Sequence, residues 1–233
     1  VPDECVKMAD LVLMTTSINP PRTSVKPPWQ SWGYYSLESQ SMYPEMNDLA
    51  YMAQFDLEIS TRLSSHVPIT FAPRMANIIR RPLTEDKWSG AMVLYMQSNC
   101  VAWRDAYVKE LMTHVSVDSL GKCLKNGIYP DNVGTVQLMA RYRFFVAFEN
   151  SIADDFVTER VFNAWIAGAI PIYKGAPNIA QFAPSRNSYI DANAFVDARE
   201  LGKYLTYLDA NSSAYNEYLS YKNLTNPLSE GYL

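Results

Sequence analysis

From Ala91 onward, short apolar runs alternate with longer segments whose apolar residues recur every three or four positions. Ala91-Met-Val-Leu-Tyr-Met96 is apolar on both faces, as an interior parallel strand requires. After it, Tyr107, Val108, Leu111 and Met112 share one helical face. Val115-Ser-Val117 reads as a short strand and Arg143-Phe-Phe-Val-Ala-Phe148 as a strong one. Val157, Val161, Phe162, Trp165 and Ile166 then form a helical stripe, with Gly168 placed to end the helix. Ala169-Ile-Pro-Ile-Tyr173 predicts another strand, Leu201, Tyr204, Leu205 and Leu208 another amphipathic helix, and Tyr215 to Tyr221 one more.

Nearer the start, Asp10-Leu-Val-Leu-Met-Thr15 reads as a buried strand and Trp32-Gly-Tyr-Tyr-Ser-Leu37 as a second. Between them Pro20, Pro21, Pro27 and Pro28 make Asn19 to Trp29 a loop. The second strand runs out at Glu38, an arrangement that presents a carboxylate at a sheet edge. No internal repeat or low-complexity tract interrupts the pattern. Strand–helix–strand alternation implies α/β architecture, a parallel, doubly wound sheet with right-handed crossovers. Ligands of such sheets sit beyond the carboxyl ends of the strands, at helix N-termini.

Composition narrows the function classes. The chain has 233 residues, 48% of them hydrophobic, enough for one substantial core or two small ones. Twenty Lys+Arg against 24 Asp+Glu lack the basic excess of a nucleic-acid binder, so no nucleic-acid partner is expected. No apolar stretch is long enough to cross a bilayer, and Val-Pro-Asp-Glu-Cys is not a signal peptide; membrane attachment would need an anchor upstream of Val1. Cys5, Cys100 and Cys123 form no Cys-x-x-Cys pair, and His66 and His114 are far apart, so no metal site is expected. One disulfide, Cys100 with Cys123, is the expected pairing, with free buried thiols as the alternative. Asn211-Ser212-Ser213 and Asn223-Leu224-Thr225 are glycan acceptors if the chain enters the secretory path.

The richest chemistry lies between Phe148 and Arg160. A strand ends at Phe148, Glu149, Asn150 and Ser151 follow in a loop, and Thr158, Glu159 and Arg160 form the first turn of the next helix. Unpaired N–H groups at that helix end favour a diphosphate, Arg160 adds charge, and Glu159 can accept from ribose hydroxyls. Ordinary helix capping by Asp155 or Thr158 explains the same residues equally well. There is no Asp-x-Asp, P-loop or nucleophile elbow.

Tyr142-Arg-Phe-Phe-Val-Ala-Phe-Glu-Asn-Ser151, then Asp155-Phe-Val-Thr-Glu-Arg160, resembles the signature of GDP-fucose-dependent α1,3/α1,4-fucosyltransferases. Gly168 to Ile179, Phe182-Ala-Pro184, Ser98-Asn-Cys100 and Asp118-Ser-Leu-Gly-Lys-Cys123 are similar to the branch that fucosylates the N-glycan core. The resemblance implies a GT-B fold of two Rossmann-like domains: 1–85, a partial acceptor side lacking its opening strands, and 86–233, the donor side. It implies that Arg104 neutralises the donor diphosphate and that Glu149, Asn150, Phe156, Thr158, Glu159 and Arg160 shape the donor pocket. Phe156 and Arg160 replace the family's tyrosine and lysine. Ser36-Leu-Glu-Ser39 resembles the family's Glu-Ser-Pro element, which makes Glu38 the general base, with Gln40 where the family has proline. In Phe55-Asp-Leu-Glu-Ile-Ser60 only Phe55 and Ser60 match the family's acceptor-side segment.

The activity so implied is inverting transfer of L-fucose from GDP-fucose to the 3-hydroxyl of a GlcNAc, in a glycan or glycoprotein acceptor of the Golgi lumen. No cofactor is required; a divalent metal ion that stimulated the reaction would not be held by an Asp-x-Asp motif. Two other readings stand beside it: a catalytically degenerate relative that binds nucleotide sugar or glycan, and a transferase using a different sugar nucleotide.

Overall fold

The computed structural model describes residues 3–16, 26–72, 76–82, 87, 90–226 and 228. The chain divides into two compact units, one running up to Phe71 and including Ser151–Phe156, the other formed by Ala72–Asn150 and the chain from Val157 onward. Among the described residues no helix is long and apolar enough to cross a membrane.

The first unit holds α1 (Asp3–Met8), β1 (Leu11–Thr15), β2 (Ser31–Ser36), α2 (Leu49–Met52), β3 (Leu57–Ser60) and β4 (Val67–Pro68). Its strands are all parallel in the order β1-β2-β3-β4. Trp32 and Tyr34 of β2 are buried with Met14, Met46 and Phe55, and Tyr34 meets Phe55 edge to face at 5.3 Å between ring centroids. Asp48 caps α2 by accepting from the N–H groups of Ala50 and Tyr51. Pairing on both sides makes β2 an interior strand, so Glu38 follows the end of an interior strand and not the expected edge strand. Strand adjacency is a tertiary property that a period-two pattern does not carry. Most of the expected proline loop lies outside the described residues; its end is a turn in which Gln30 N–H donates to Pro27 O at 3.0 Å.

The second unit contains α3 (Ala76–Ile79), β5 (Val93–Tyr95), α4 (Ala102–Leu111), β6 (Val117–Ser119), α5 (Thr135–Ala140) and β7 (Phe144–Phe148). It continues with α6 (Glu159–Ala167), β8 (Ile170–Lys174), β9 (Ile190–Asp191), α7 (Ala198–Ala210) and α8 (Ser212–Glu217). The sheet is parallel throughout, in the order β6-β5-β7-β8-β9. Every residue of β7 is buried, as its uninterrupted apolar run requires at the centre of a parallel sheet. Helix α5 packs against α6 and α4 against α7, and Val108 and Leu111 of α4 and Leu201 and Leu205 of α7 are buried. Gly168 ends α6 in the left-handed region, φ 68°, which a β-carbon would disfavour.

The chain runs outward from β5 to β6 and then returns to β7 on β5's other side. The crevice at such a reversal, beyond the carboxyl ends of β5 and β7, is where open parallel sheets bind ligands. The Cys100–Cys123 disulfide, with Cα atoms 5.4 Å apart, joins the loops that follow β5 and β6 beside this crevice. It closes a loop of 23 residues, so reduction, or a Cys100→Ser/Cys123→Ser double variant, should lower unfolding stability by about 3 kcal/mol. Unchanged denaturant midpoints on reduction would contradict that role for the bridge.

Candidate functional site

At the β5/β7 reversal lies a cavity of about 370 Å³, lined by Gln97, Ser98, Tyr129, Thr135, Glu159, Arg160 and Asn163 among others. Its size falls within the roughly 300–1,000 Å³ of small-molecule sites. One wall is a close crossing of two loops. Leu120 N–H donates to Tyr95 O, and the N–H groups of Lys122 and Cys123 both donate to Gln97 O, at 2.7 and 3.1 Å. A β-carbon on Gly121 would stand 2.3 Å from Gln97 O, so only glycine lets these backbones approach. The buried Gln97 side chain leaves Nε2 without a protein partner.

The opposite wall is the start of α6, and a buried carboxyl organises it. Glu149, first residue beyond β7, is 0% exposed. Its backbone N–H donates to Lys174 O at 2.9 Å, extending the β7–β8 pairing by one residue. Oε1 accepts from Thr158 N–H at 2.8 Å, and Oε2 accepts from Thr158 Oγ1 at 2.7 Å and Arg160 Nη1 at 3.3 Å. Arg160 Nη1 also donates to Thr158 Oγ1 at 2.9 Å, and Arg160 lines the cavity. Gly175 makes room for the carboxyl: a β-carbon there would lie 2.5 Å from Glu149 Cγ. Burial pushes the Glu149 carboxyl from the ordinary 4.5 up to about 7, against the opposing pull of the Thr158 hydrogen bonds and Arg160.

This geometry sorts the residues that the sequence singled out. Glu159 and Arg160 line the cavity, a carboxylate and a cation one residue apart at the positive end of a nine-residue helix. Glu149 and Thr158 stand behind them. Thr158 is the N-cap of α6, but its hydroxyl serves Glu149 rather than the helix, so the capping reading fails for it. Arg104 is buried on α4, donating from Nη1 to Phe148 O at 3.2 Å and from Nη2 to Asn99 O, with Nε unpartnered. Burial holds its guanidinium below the usual range, and the charge of Arg160 acts in the same direction. Asn150 is half-buried with Oδ1 unpartnered. The second unit therefore gathers Arg104, Glu149, Asn150, Thr158, Glu159 and Arg160.

Phe156 and Glu38 belong to the first unit. Phe156 is buried, closing a turn with its N–H on Ala153 O at 3.3 Å. Glu38 follows the carboxyl end of β2, half-buried, with Oε2 buried and without a partner. Gln97, Tyr129, Thr135 and Asn163 escaped the sequence reading. Only Asn163 had a signal, lying four residues after Glu159 and hence on the same helical face. Cys100, Asp105 and Cys123 form the one His/Cys/Asp/Glu cluster within metal-ligand range among the described residues, and its thiols are joined in the disulfide.

A carboxyl whose pKa is raised on folding binds more protons in the folded than in the unfolded state between about 4.5 and about 7. Its contribution is greatest below that window and declines as pH rises through it. The stability advantage of wild type over Glu149→Gln should therefore shrink between pH 4.5 and 7.5 by up to about 3 kcal/mol in urea unfolding. Parallel stability–pH curves for the two proteins would contradict the buried-carboxyl account.

Residues 87–230, which contain the cavity and its supports, match the family model described as glycosyltransferase family 10 (fucosyltransferase), C-terminal part. GDP-fucose protein O-fucosyltransferase 3 of Gallus gallus is 35% identical over 185 residues, covering 73% of this chain and 37% of the relative. The Homo sapiens protein of that name is 37% identical over 143 residues, covering 57% and 30%. The chain thus spans about a third of the length of the curated relatives it matches. Their names specify protein O-fucosylation, and the narrower likeness to the N-glycan core branch finds no support in them. A crystal structure of an α1,3-fucosyltransferase with GDP superposes with a TM-score of 0.69 at 17% identity, covering 94% of this chain and 72% of that one. That likeness shows the fold, α/β with parallel sheets of GT-B type. Fold, family model and relatives agree: the chain belongs to glycosyltransferase family 10, the fucosyltransferases.

Proposed function

We propose that the protein transfers L-fucose from GDP-fucose, with inversion at the anomeric carbon, to a hydroxyl of a protein acceptor. The observation that carries this reading is the cavity at the β5/β7 reversal, with Arg160 at the N-terminal end of α6, inside the segment that matches the family. A diphosphate is favoured where a helix end and a guanidinium converge. In this reading Arg160 meets the phosphates, Glu159 accepts from the ribose hydroxyls, and Glu149 with Thr158 holds Arg160 in place. Arg104 adds a second positive charge, this one fully buried, behind the β7 terminus. The protein names among the relatives support a protein hydroxyl as acceptor. The second reading, the 3-hydroxyl of a GlcNAc, rests on the motif resemblance.

The acceptor oxygen attacks the anomeric carbon as the bond to the β-phosphate oxygen breaks, and GDP departs with that electron pair. Positive charge develops on the sugar and negative charge on GDP, and the latter is what fixed cations stabilise. The proton of the attacking hydroxyl passes to Glu38, whose Oε2 is unpartnered. The Cys100–Cys123 bridge supports an oxidising compartment, and we place the reaction in the Golgi lumen.

Turnover of GDP-fucose with a folded protein acceptor and, separately, a core-type N-glycan tests this, with Glu38→Gln alongside. Wild type should release GDP with the protein acceptor, and Glu38→Gln should lose at least about 100-fold in kcat while binding GDP unchanged. Transfer to the glycan alone would replace the acceptor reading. GDP binding without turnover on either acceptor would make the chain a nucleotide-sugar binding module.

A further inference from the structure

The loop that carries Glu38 is held from several sides, all within the first unit. Ser36 Oγ accepts from Glu38 N–H and donates to Glu38 O, both at 3.1 Å. Ser39 O accepts from the N–H groups of Met42 and Tyr43, closing the turn that follows. Ser39 Oγ pairs with Ser151 Oγ at 2.5 Å, and Ser41 Oγ donates to Ile152 O at 2.8 Å. Between these anchors stands Gln40, whose side chain is gripped from the next strand over.

Arg62 lies two residues beyond β3. Its Nε donates to Gln40 Oε1 at 2.6 Å and its Nη2 to Asn47 Oδ1 at 2.6 Å, while Glu58 Oε1 stands 3.8 Å from Nη1. The backbone N–H of Arg62 donates to Ser60 Oγ at 3.2 Å, which in turn donates to Glu58 Oε1 at 2.7 Å. The guanidinium is therefore fixed at its base, counter-charged along one side, and committed through two nitrogens to the segment after β2. A charged donor makes each of these bonds stronger than an amide–amide pair. In a planar guanidinium the two directions are fixed relative to each other. Gln40 is two residues past Glu38, and a rigid Gln40 limits where the Glu38 backbone can go.

Resting on the reading of Glu38 as the base, we propose that Arg62 is a positioning residue for Glu38, acting through Gln40 rather than by touching substrate. A proton acceptor works at one place, and a misplacement of about 1 Å can cost about 100-fold in rate. Ser36, Ser39 and Ser41 hold the loop through hydroxyls and backbone, and Arg62 holds Gln40 through its side chain, whereas Glu38 Oε2 is left unpartnered. A backbone held on both sides of the carboxylate and an oxygen with no bond of its own are what a positioned base needs.

The test is a double-mutant cycle of Arg62→Ala and Gln40→Ala, read by steady-state kinetics, GDP binding and amide hydrogen exchange. Each single variant should lower kcat by about 10- to 100-fold, with the KM for GDP-fucose and the GDP affinity within about twofold of wild type. The double variant should be no more than about threefold worse than the poorer single, because the Arg62–Gln40 bond is lost in either single variant. Arg62→Lys, which keeps the charge but not the fork, should fall between wild type and Arg62→Ala. The Met42 and Tyr43 amides, which report the turn on Ser39 O, should exchange at least about tenfold faster in both single variants, with β1 unchanged. Losses in kcat that multiply in the double variant, or unaltered exchange at Met42 and Tyr43, would overturn the proposal. A wild type that transfers no fucose would sink the functional reading, and the exchange data would still decide whether Arg62 orders the Glu38 loop. Should Arg62→Ala fail to fold, Gln40→Ala carries the same kinetic and exchange readouts.

Discussion

Burying Glu149 completely at the carboxyl end of the central strand forces a particular arrangement on the chain around it. A carboxyl taken out of water must be matched by donors or remain protonated. Here the donors come from Thr158, through both N–H and hydroxyl, and from Arg160. Those partners lie at the start of α6, so satisfying one buried side chain also fixes the helix that forms the cavity wall. The glycine at 175 follows from the same constraint, since any side chain there would collide with the Glu149 stem. Arg160, a lining residue of the cavity, is thereby anchored at one nitrogen.

The opposite wall depends on different physics. Two loops cross at Gly121 and Gln97 so closely that their backbones bond directly, and the disulfide between Cys100 and Cys123 closes the same pair of loops a few residues on. One wall is therefore electrostatic and the other covalent and steric. Both lie at the topological reversal of a parallel sheet, where crevices open because neighbouring crossovers diverge. In the first unit the equivalent problem, holding a loop beyond the end of an interior strand, is met by Ser36, Ser39, Ser41 and the Arg62–Gln40 bond.

Much of this was legible in the order of residues, and for identifiable reasons. Strand β7 is five consecutive apolar residues, and α6 and α7 carry unbroken stripes, so period and burial agree. Strand β3 carries no strand signal, because Leu57-Glu-Ile-Ser60 contains a glutamate and only Ser60 is buried. Strand β4 spans two residues and α5 six, too short for either period to register. Expected at Val115–Val117, β6 begins at Val117 because Val115 N–H still donates to Leu111 O at the end of α4.

Among the site residues, Glu159 and Arg160 were found as helix-end chemistry. That Thr158 would turn to Glu149 was not, since the partner comes from the preceding strand and adjacency is set by the fold. Arg104 did carry a signal: with Val108 and Leu111 it occupies the buried face of α4, at spacings of four and three. The cavity residues Gln97, Tyr129 and Thr135 come from three separate loops and helix ends, which no local pattern unites.

We propose that the crevice beside α6 holds the diphosphate of the donor, with Arg160 as its cation. Calorimetric titration of GDP into wild type and Arg160→Ala tests it most directly. One GDP should bind per chain, with affinity weakened at least about tenfold by Arg160→Ala. No binding by wild type, or equal affinity in the two proteins, would contradict it.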